Sequence, residues 1–155
     1  MKNILFTLTL ITTSLFSYSQ DYTTGIGLRG GPSNGLTVKH FISQKAALEG
    51  ILTTRWGGFG LTGLYEINVP IKSVSRLNFY YGIGAHVGSY NGKQNGWFKD
   101  DVNHFVLGVD GILGLEYNFK EIPFNIGVDY KPGFNLVGYS GYWGDEGALS
   151  IRYIF

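Results

Sequence analysis

The stretch HFVLGVDGILGLEYNF, residues 104–119, alternates between two kinds of side chain along its whole length. One parity is large and apolar or aromatic at seven of its eight positions: Phe105, Leu107, Val109, Leu113, Leu115, Tyr117 and Phe119. The other parity is mostly small, polar or charged, with Val106 and Ile112 as its two large apolar residues. Successive side chains of a β-strand point to opposite faces, so this pattern predicts a long strand with one apolar face.

The same alternation predicts seven further strands, at about 22–30, 35–43, 46–56, 59–69, 76–90, 123–131 and 147–155. Three to six residues follow the second, fourth and sixth strands. Thirteen and fifteen residues follow the fifth and seventh, at 91–103 and 132–146. An even number of strands, with short turns at one end and longer loops at the other, predicts an antiparallel up-and-down β-barrel.

Composition supports an all-β chain without disulfides. Glycine accounts for 24 of the 155 residues, against an average of about 7 %, and Phe and Tyr supply 11 each. There is no cysteine. Apart from Lys2, basic and acidic residues balance at 11 each, so the chain has no basic field for nucleic acid.

Residues 1–19 have the pattern of a secretory signal peptide. A positive start at 1–3 is followed by an apolar segment at 4–16, and small residues stand at Ser17 and Ser19. The apolar segment is shorter than the roughly 20 residues of a transmembrane helix. We therefore expect export, cleavage after Ser19, and a single domain formed by residues 20–155.

Eleven charged residues fall within the predicted strands, and all of them lie on the parity opposite the aliphatic residues. They are Arg29, Lys39, Glu49, Arg55, Glu66, Arg76, Asp110, Glu116, Asp129, Lys131 and Arg152. Six are positive and five are negative, which favours mutual pairing in a confined space where an unpaired ion is expensive. The pattern predicts a charge network on one face of the wall.

Parity alone leaves open a soluble barrel with its apolar face inward and a membrane barrel with that face toward lipid. A charge at mid-strand on a lipid face costs about 2–4 kcal/mol, which explains a clean exclusion of charge. The polar parity is rich in Gly, Thr and Asn, which suits an interior only just wide enough for side chains. These features favour an eight-stranded antiparallel up-and-down transmembrane β-barrel with charges inside.

The sequence ends on GALSIRYIF, residues 147–155, an alternating segment with Leu149, Ile151, Tyr153 and Phe155 on one parity. In these features the chain resembles the small eight-stranded outer-membrane β-barrel proteins of Gram-negative bacteria, over its whole mature length. In that family the barrel-assembly machinery reads a C-terminal aromatic residue preceded by alternating apolar residues. The resemblance implies an insertion signal at these four residues, contact with outer-membrane lipid, and an outer-membrane location.

Motifs for a cofactor are weak. GIGLRG at 25–30 fits the dinucleotide pattern G-x-G-x-x-G, but GPSNG at 31–35 predicts a turn where that motif requires a helix. His104 with Asp100 and Asp101 is a candidate metal cluster, although an acidic loop is more often simply solvated. We therefore predict no cofactor and no metal.

Catalysis is equally weakly indicated. Lipid A deacylases that resemble this size class pair a His and a Ser two residues apart on one strand face, and this chain has no His-x-Ser. His86 and Ser89 are three apart, on opposite faces. The sequence therefore predicts a non-enzymatic, porin-like outer-membrane barrel with a structural or surface-binding role. Two alternatives remain open: a soluble secreted barrel that binds an apolar ligand, and an outer-membrane lipid-modifying enzyme.

Aromatic residues crowd the end of the barrel that carries the long loops: Trp97, Phe98, Phe134, Tyr139, Tyr142 and Trp143. Trp and Tyr favour membrane interfaces, so this set predicts an aromatic girdle. A rim that binds an unidentified ligand is the alternative.

The register of the hairpins predicts one internal contact. A hairpin centred near residue 71 puts Glu66 opposite Arg76, and one centred near residue 96 puts Glu116 opposite the same arginine. We therefore expect Arg76 to lie between the two glutamates.

Overall fold

The computed structural model describes residues 22–95, 99–138 and 140–155. The predicted signal peptide at 1–19 lies outside the described residues. The elements are β1 (Thr24–Gly30), β2 (Asn34–Phe41), β3 (Ala46–Arg55), β4 (Gly58–Pro70), β5 (Leu77–Asn91), α1 (Gly92–Asn95), β6 (Asn103–Asn118), β7 (Phe124–Tyr130), β8 (Gly133–Val137), β9 (Gly141–Trp143) and β10 (Gly147–Ile154). No helix within these ranges is long and apolar enough to span a membrane.

The strand segments form one closed antiparallel ring. Each of β1 to β6 pairs with the next strand, β7 pairs with β10, and β10 pairs with β1. β8 continues β7 along β6, with Tyr130 opposite Leu113 and Gly133 opposite Asp110. β9 pairs with β8 and leads into β10. The result is an eight-stranded up-and-down barrel whose seventh and eighth strands are each interrupted once.

The interruption of the seventh strand falls at Lys131 and Pro132, where proline supplies no backbone N–H to the ladder. The predicted fifteen-residue loop at 132–146 is therefore wrong, because β8 and β9 occupy most of it. The stretch contains a proline and several glycines, a composition typical of loops, so the sequence does not indicate the two short paired strands. The connection between them is residues 138–140, and Gly138 has a φ of 88°.

The connections divide between two ends of the barrel. Of the described residues, the upper end carries 31–33, 56–57, 92–95, 99–102, 138 and 140. The lower end carries 42–45, 71–76 and 119–123, and there the N–H of Thr24 donates to the Phe155 carbonyl at 2.9 Å. The two-residue turn at Trp56 and Gly57 has positive φ at both positions, 48° and 65°, as a type I′ hairpin requires.

The wall is apolar outside and polar inside. Large apolar side chains point outward from every strand of the ring, with Leu28 at 67 % and Ile83 at 73 % exposure. The inward side holds the buried charged and polar residues. The fold is thus the all-β, eight-stranded antiparallel transmembrane type that the sequence predicts.

Two glycines show how tightly the wall curves. A Cβ added to Gly27 would lie 1.9 Å from the Ile151 carbonyl oxygen, and one added to Gly35 would lie 1.9 Å from that of Leu52. Both glycines allow neighbouring backbones to approach closely. This curvature brings side chains from opposite walls within reach of each other.

Candidate functional site: the charged interior of the barrel

Lys39, on the inward side of β2, is the centre of the first set of contacts. Its Nζ lies 3.0 Å from Glu66 Oε2 and 3.0 Å from Glu116 Oε2. It also donates to Asn68 Oδ1 at 2.9 Å and lies 4.1 Å from the centroid of the Tyr80 ring. One ammonium group therefore joins carboxylates from β4 and β6, which lie on different parts of the wall.

Arg152 reaches into the same space from β10. Its Nη2 donates to Glu49 Oε1 at 2.5 Å, and its Nη1 donates to Asn125 Oδ1 at 3.2 Å. The Thr37 hydroxyl also donates to Glu49 Oε1. Arg152 Nη1 lies 4.0 Å from Glu116 Oε2, so the Arg152 and Lys39 contacts form one network. We call Lys39, Glu49, Glu66, Glu116 and Arg152 the lower charge cluster.

Arg29 and Asp129 form a separate pair. Both guanidinium Nη atoms donate to the carboxylate at 2.6 Å, and the Tyr80 hydroxyl donates to Asp129 Oδ2 at 3.0 Å. Both charged side chains are completely buried. A planar fork of donors suits this bidentate geometry, so the pair ties β1 to β7 across the interior.

A third group surrounds Asp110. Lys131 Nζ lies 3.1 Å from Asp110 Oδ1, and His86 Nδ1 lies 2.7 Å from Asp110 Oδ2. The other ring nitrogen of His86 lies 2.8 Å from Asn135 Oδ1. The imidazole is therefore held by its neighbours on both sides and is not paired with a serine hydroxyl.

The upper rim carries a charge group that is partly open to solvent. Arg55 contacts Asp145 and Glu146, each at 2.5 Å, and its guanidinium lies 3.8 Å from the Trp56 ring centroid. Ser33 donates to Glu146 at 2.6 Å. The hydrogen bond from Arg55 lowers the pKa of the Asp145 carboxyl group below its usual value. The side chain of Asp145 is 61 % exposed, against 11 % for Arg55.

Aromatic residues lie at both ends of the interior. At the lower end, the Tyr22 ring meets the Phe41 ring edge-on at 5.1 Å, and the Tyr22 hydroxyl lies 3.3 Å from Glu116. Toward the upper end, Trp143 lies 5.4 Å from Trp56 and 6.1 Å from Tyr90. Charged groups thus lie between an aromatic layer below and another above.

The structure places nine of the predicted charged residues among the buried set. These are Arg29, Lys39, Glu49, Glu66, Asp110, Glu116, Asp129, Lys131 and Arg152. Arg55 lies at the rim. Arg76 does not join them: it precedes β5 with a φ of 68° and donates to the Phe119 carbonyl at 3.2 Å. The prediction that Arg76 lies between Glu66 and Glu116 is therefore wrong, because Lys39 occupies that place.

The predicted aromatic set is divided among different locations. Phe134 and Tyr142 are exposed on the outside of the wall, where the Tyr142 and Tyr130 hydroxyls lie 2.9 Å apart. Trp143 is buried inside. Trp97, Phe98 and Tyr139 lie outside the described residues. The described members therefore do not form a single cleft.

The candidate metal cluster of His104, Asp100 and Asp101 is also divided. His104 lies 2.7 Å from Asp100, whereas Asp101 accepts a hydrogen bond from Asn91 at 2.8 Å. No group of three or more His, Asp or Glu suited to a metal ion occurs in the described part of the chain.

The four residues of the expected insertion signal lie on the outer face of β10 and just after it. Leu149, Ile151, Tyr153 and Phe155 all project outward and are exposed.

Three interior residues have roles that sequence reasoning did not assign. His86 lies on the inward parity of its strand, so alternation was a usable signal for it. The sequence predicts a loop at Glu146, because residues 144–146 between β9 and β10 show no alternation of polar and apolar side chains. Tyr22 was treated as part of the first strand, and nothing in its neighbours indicates that it closes the lower end.

An apolar exterior around a charged, closed ring defines a small barrel of the outer-membrane type. The crystal structure of Neisserial surface protein A (NspA), an outer-membrane eight-stranded β-barrel, matches this fold with a TM-score of 0.59. The match covers 85 % of this chain and 93 % of that one at 9 % identity, so the likeness is one of fold. No family model and no curated protein sequence matches the chain.

Proposed function

We propose that this chain is an integral protein of the bacterial outer membrane, with a structural or surface-binding role and no enzymatic activity. In this proposal residues 1–19 direct export and residues 20–155 form the barrel. The outward face meets lipid, and the buried charges hold the wall together from inside.

The distribution of charge across the wall carries the proposal. Apolar side chains stay exposed on the outside, while fully buried ion pairs such as Arg29–Asp129 lie inside. A soluble barrel that binds an apolar ligand needs the reverse arrangement, with charges in water and an apolar cavity. Exposed apolar patches of this extent are rare on soluble monomers, and they suit lipid.

Membrane extraction tests the location. We expect the expressed protein to remain in the outer-membrane fraction after high-salt and carbonate washes and to be released by detergent. A soluble secreted barrel, in contrast, would leave with the wash. The lipid A of cells with and without the protein should have the same mass spectrum, and a mass change that depends on the protein would favour the enzymatic alternative.

The filled interior supports a barrel without a wide water path. Buried side chains from opposite walls meet at hydrogen-bonding distances, as in the contacts of Lys39 with Glu66 and Glu116. We expect purified protein in planar bilayers to give no stable porin-sized conductance. A steady large conductance would contradict this part of the proposal.

Insertion by the barrel-assembly machinery is the remaining part of the proposal. Phe155 is exposed, so its contribution to packing is small. Phe155→Ala, which keeps the backbone hydrogen bonds to Thr24, should lower outer-membrane yield far more than Phe134→Ala, which removes another exposed aromatic side chain. Equal yields for the two variants would show that Phe155 is not read as a signal.

A further inference from the structure

The lower charge cluster contains one more acidic group than basic groups. Lys39 and Arg152 supply two positive charges, and Glu49, Glu66 and Glu116 supply three carboxyl groups. The side chains of all five residues have zero exposure. If every acid were ionised, the cluster would hold a net negative charge without access to water.

The surroundings of the cluster add no net positive charge, because the neighbouring Arg29 is paired with Asp129. Two apolar groups flank it: Ile51, Leu64, Tyr80 and Ile112 in the middle of the barrel, and Tyr22, Phe41, Ala47 and Ile154 at the lower end. The neutral polar groups that face it are Thr37, Asn68, Asn125 and the Tyr22 hydroxyl. A net charge in such a place carries a large desolvation cost.

The excess is localised at Glu49 and Glu66. Glu49 Oε1 is satisfied by Arg152 and Thr37, but Glu49 Oε2 has no donor. Glu66 Oε2 lies 3.0 Å from Lys39 Nζ, but the Lys39 hydrogen bonds go to Asn68 and Glu116, and neither Glu66 oxygen accepts a hydrogen bond. Glu49 and Glu66 are diagonal neighbours on the inward face of the paired strands β3 and β4, with Glu49 opposite Leu64 and Glu66 opposite Ala47. Two neighbouring buried carboxylates repel each other when both are ionised, so this arrangement favours a proton on one of them.

We propose that Glu49 and Glu66 form a proton-binding site that holds one proton inside the barrel. The proton resides on Glu66, because Glu49 is stabilised as an anion by hydrogen bonds from Arg152 and Thr37, whereas neither Glu66 oxygen accepts one. With one proton bound, two cations face two anions and the cluster is neutral. The assignment rests on the interior contacts and not on the proposed membrane location.

Infrared spectroscopy of the folded barrel in detergent tests the site directly. A protonated carboxyl group has a C=O stretching band separate from the carboxylate bands. We expect the wild-type protein at neutral pH to show this band and Glu66→Gln to lack it. Glutamine keeps the shape and offers an N–H donor to Glu49, so the variant should still fold.

Asp129→Asn is the matched control, since it removes another buried acid that is fully paired with Arg29. We expect the band to survive in this variant. Absence of the band from the wild type, or its persistence in Glu66→Gln, would overturn the proposal. If Glu66→Gln fails to fold, a wild-type spectrum without the band still overturns the proposal.

A bound sodium ion is the competing occupant, and it makes a different prediction. We expect the urea midpoint of the wild type to be the same in sodium chloride and choline chloride of equal concentration. A midpoint that rises with sodium in the wild type but not in Glu66→Gln would assign the site to the metal ion and contradict proton binding.

Discussion

Arg152 and Arg55 both contact acidic side chains, but they do so in opposite surroundings. Arg152 is completely buried in the lower charge cluster, and its partner Glu49 is buried with it. Arg55 lies at the upper rim, where its partner Asp145 is largely in solvent. The same pair of functional groups is therefore strong or weak according to its access to water. We therefore expect the inner contacts to contribute more to the stability of the barrel than the rim contacts do.

Removing Arg152 should have the largest effect. Arg152→Met leaves Glu49 buried without its cation, and breaking a buried pair in this way costs about 3–5 kcal/mol. Urea unfolding of the barrel in detergent, followed by tryptophan fluorescence, measures the loss. Adding Glu49→Gln should restore part of the stability, since no stranded charge then remains. A loss below that of Arg55→Met would invalidate the comparison.

Arg55→Met should have a smaller effect. It removes the exposed pair with Asp145, worth up to about 1 kcal/mol, and a contact with Trp56 worth a similar amount. It also leaves the buried Glu146 with the Ser33 hydroxyl as its donor. The total loss should be about 2–3 kcal/mol in the same urea assay, below that of Arg152→Met. High salt should reduce this difference but leave the Arg152 effect nearly unchanged, because buried pairs are screened less. Equal salt dependence would argue against two distinct environments.

Acidification should act on the rim pair. Because Arg55 lowers the pKa of Asp145 in the folded state, the unfolded chain binds the proton more readily. This contribution to stability is therefore present at neutral pH and is lost as the pH falls below about 4. Its size stays within about 1 kcal/mol, since Asp145 is exposed. Asp145→Asn should remove this part of the acid dependence and is read from unfolding midpoints across pH.

Arg76→Gln should have the smallest effect, within about 0.5 kcal/mol. Its one described side-chain contact is a hydrogen bond to the Phe119 carbonyl, outside the charge clusters. The urea midpoint of this variant therefore serves as the baseline for the two arginines above. A loss as large as that of Arg152→Met would mean that Arg76 belongs to the buried network after all.

The sequence was sufficient to predict the fold because alternation sets the face of every strand. In β6, for example, Asp110 and Glu116 point inward and Val109 and Leu115 point outward. The same rule fails for Arg76, which lies one residue before β5, in a turn where period-two alternation no longer applies.

The partners inside the barrel were harder to predict. Hairpin register relates a residue only to its neighbours on adjoining strands, whereas Lys39 on β2 reaches Glu116 on β6. Such contacts depend on the width and curvature of the closed ring, which a linear pattern does not contain. The short paired strands at 133–137 and 141–143 were missed for a related reason: five and three residues are too few to establish a period.

The pairing of β10 with β1 has a consequence for the order of events during folding. β10 is the last strand that the structure describes, and it carries Arg152, the cation that Glu49 on β3 requires. Before β10 pairs with its neighbours, the sheet is open and the edges of β1 and β7 are unpaired. Glu49 also lacks its cation at that stage. Closing the ring and neutralising its interior are therefore one step. Arg152 and Glu49 are 103 positions apart in the sequence. Because contacts between distant residues form slowly, we expect ring closure to be a slow folding step. The ring and its central ion pair then form together.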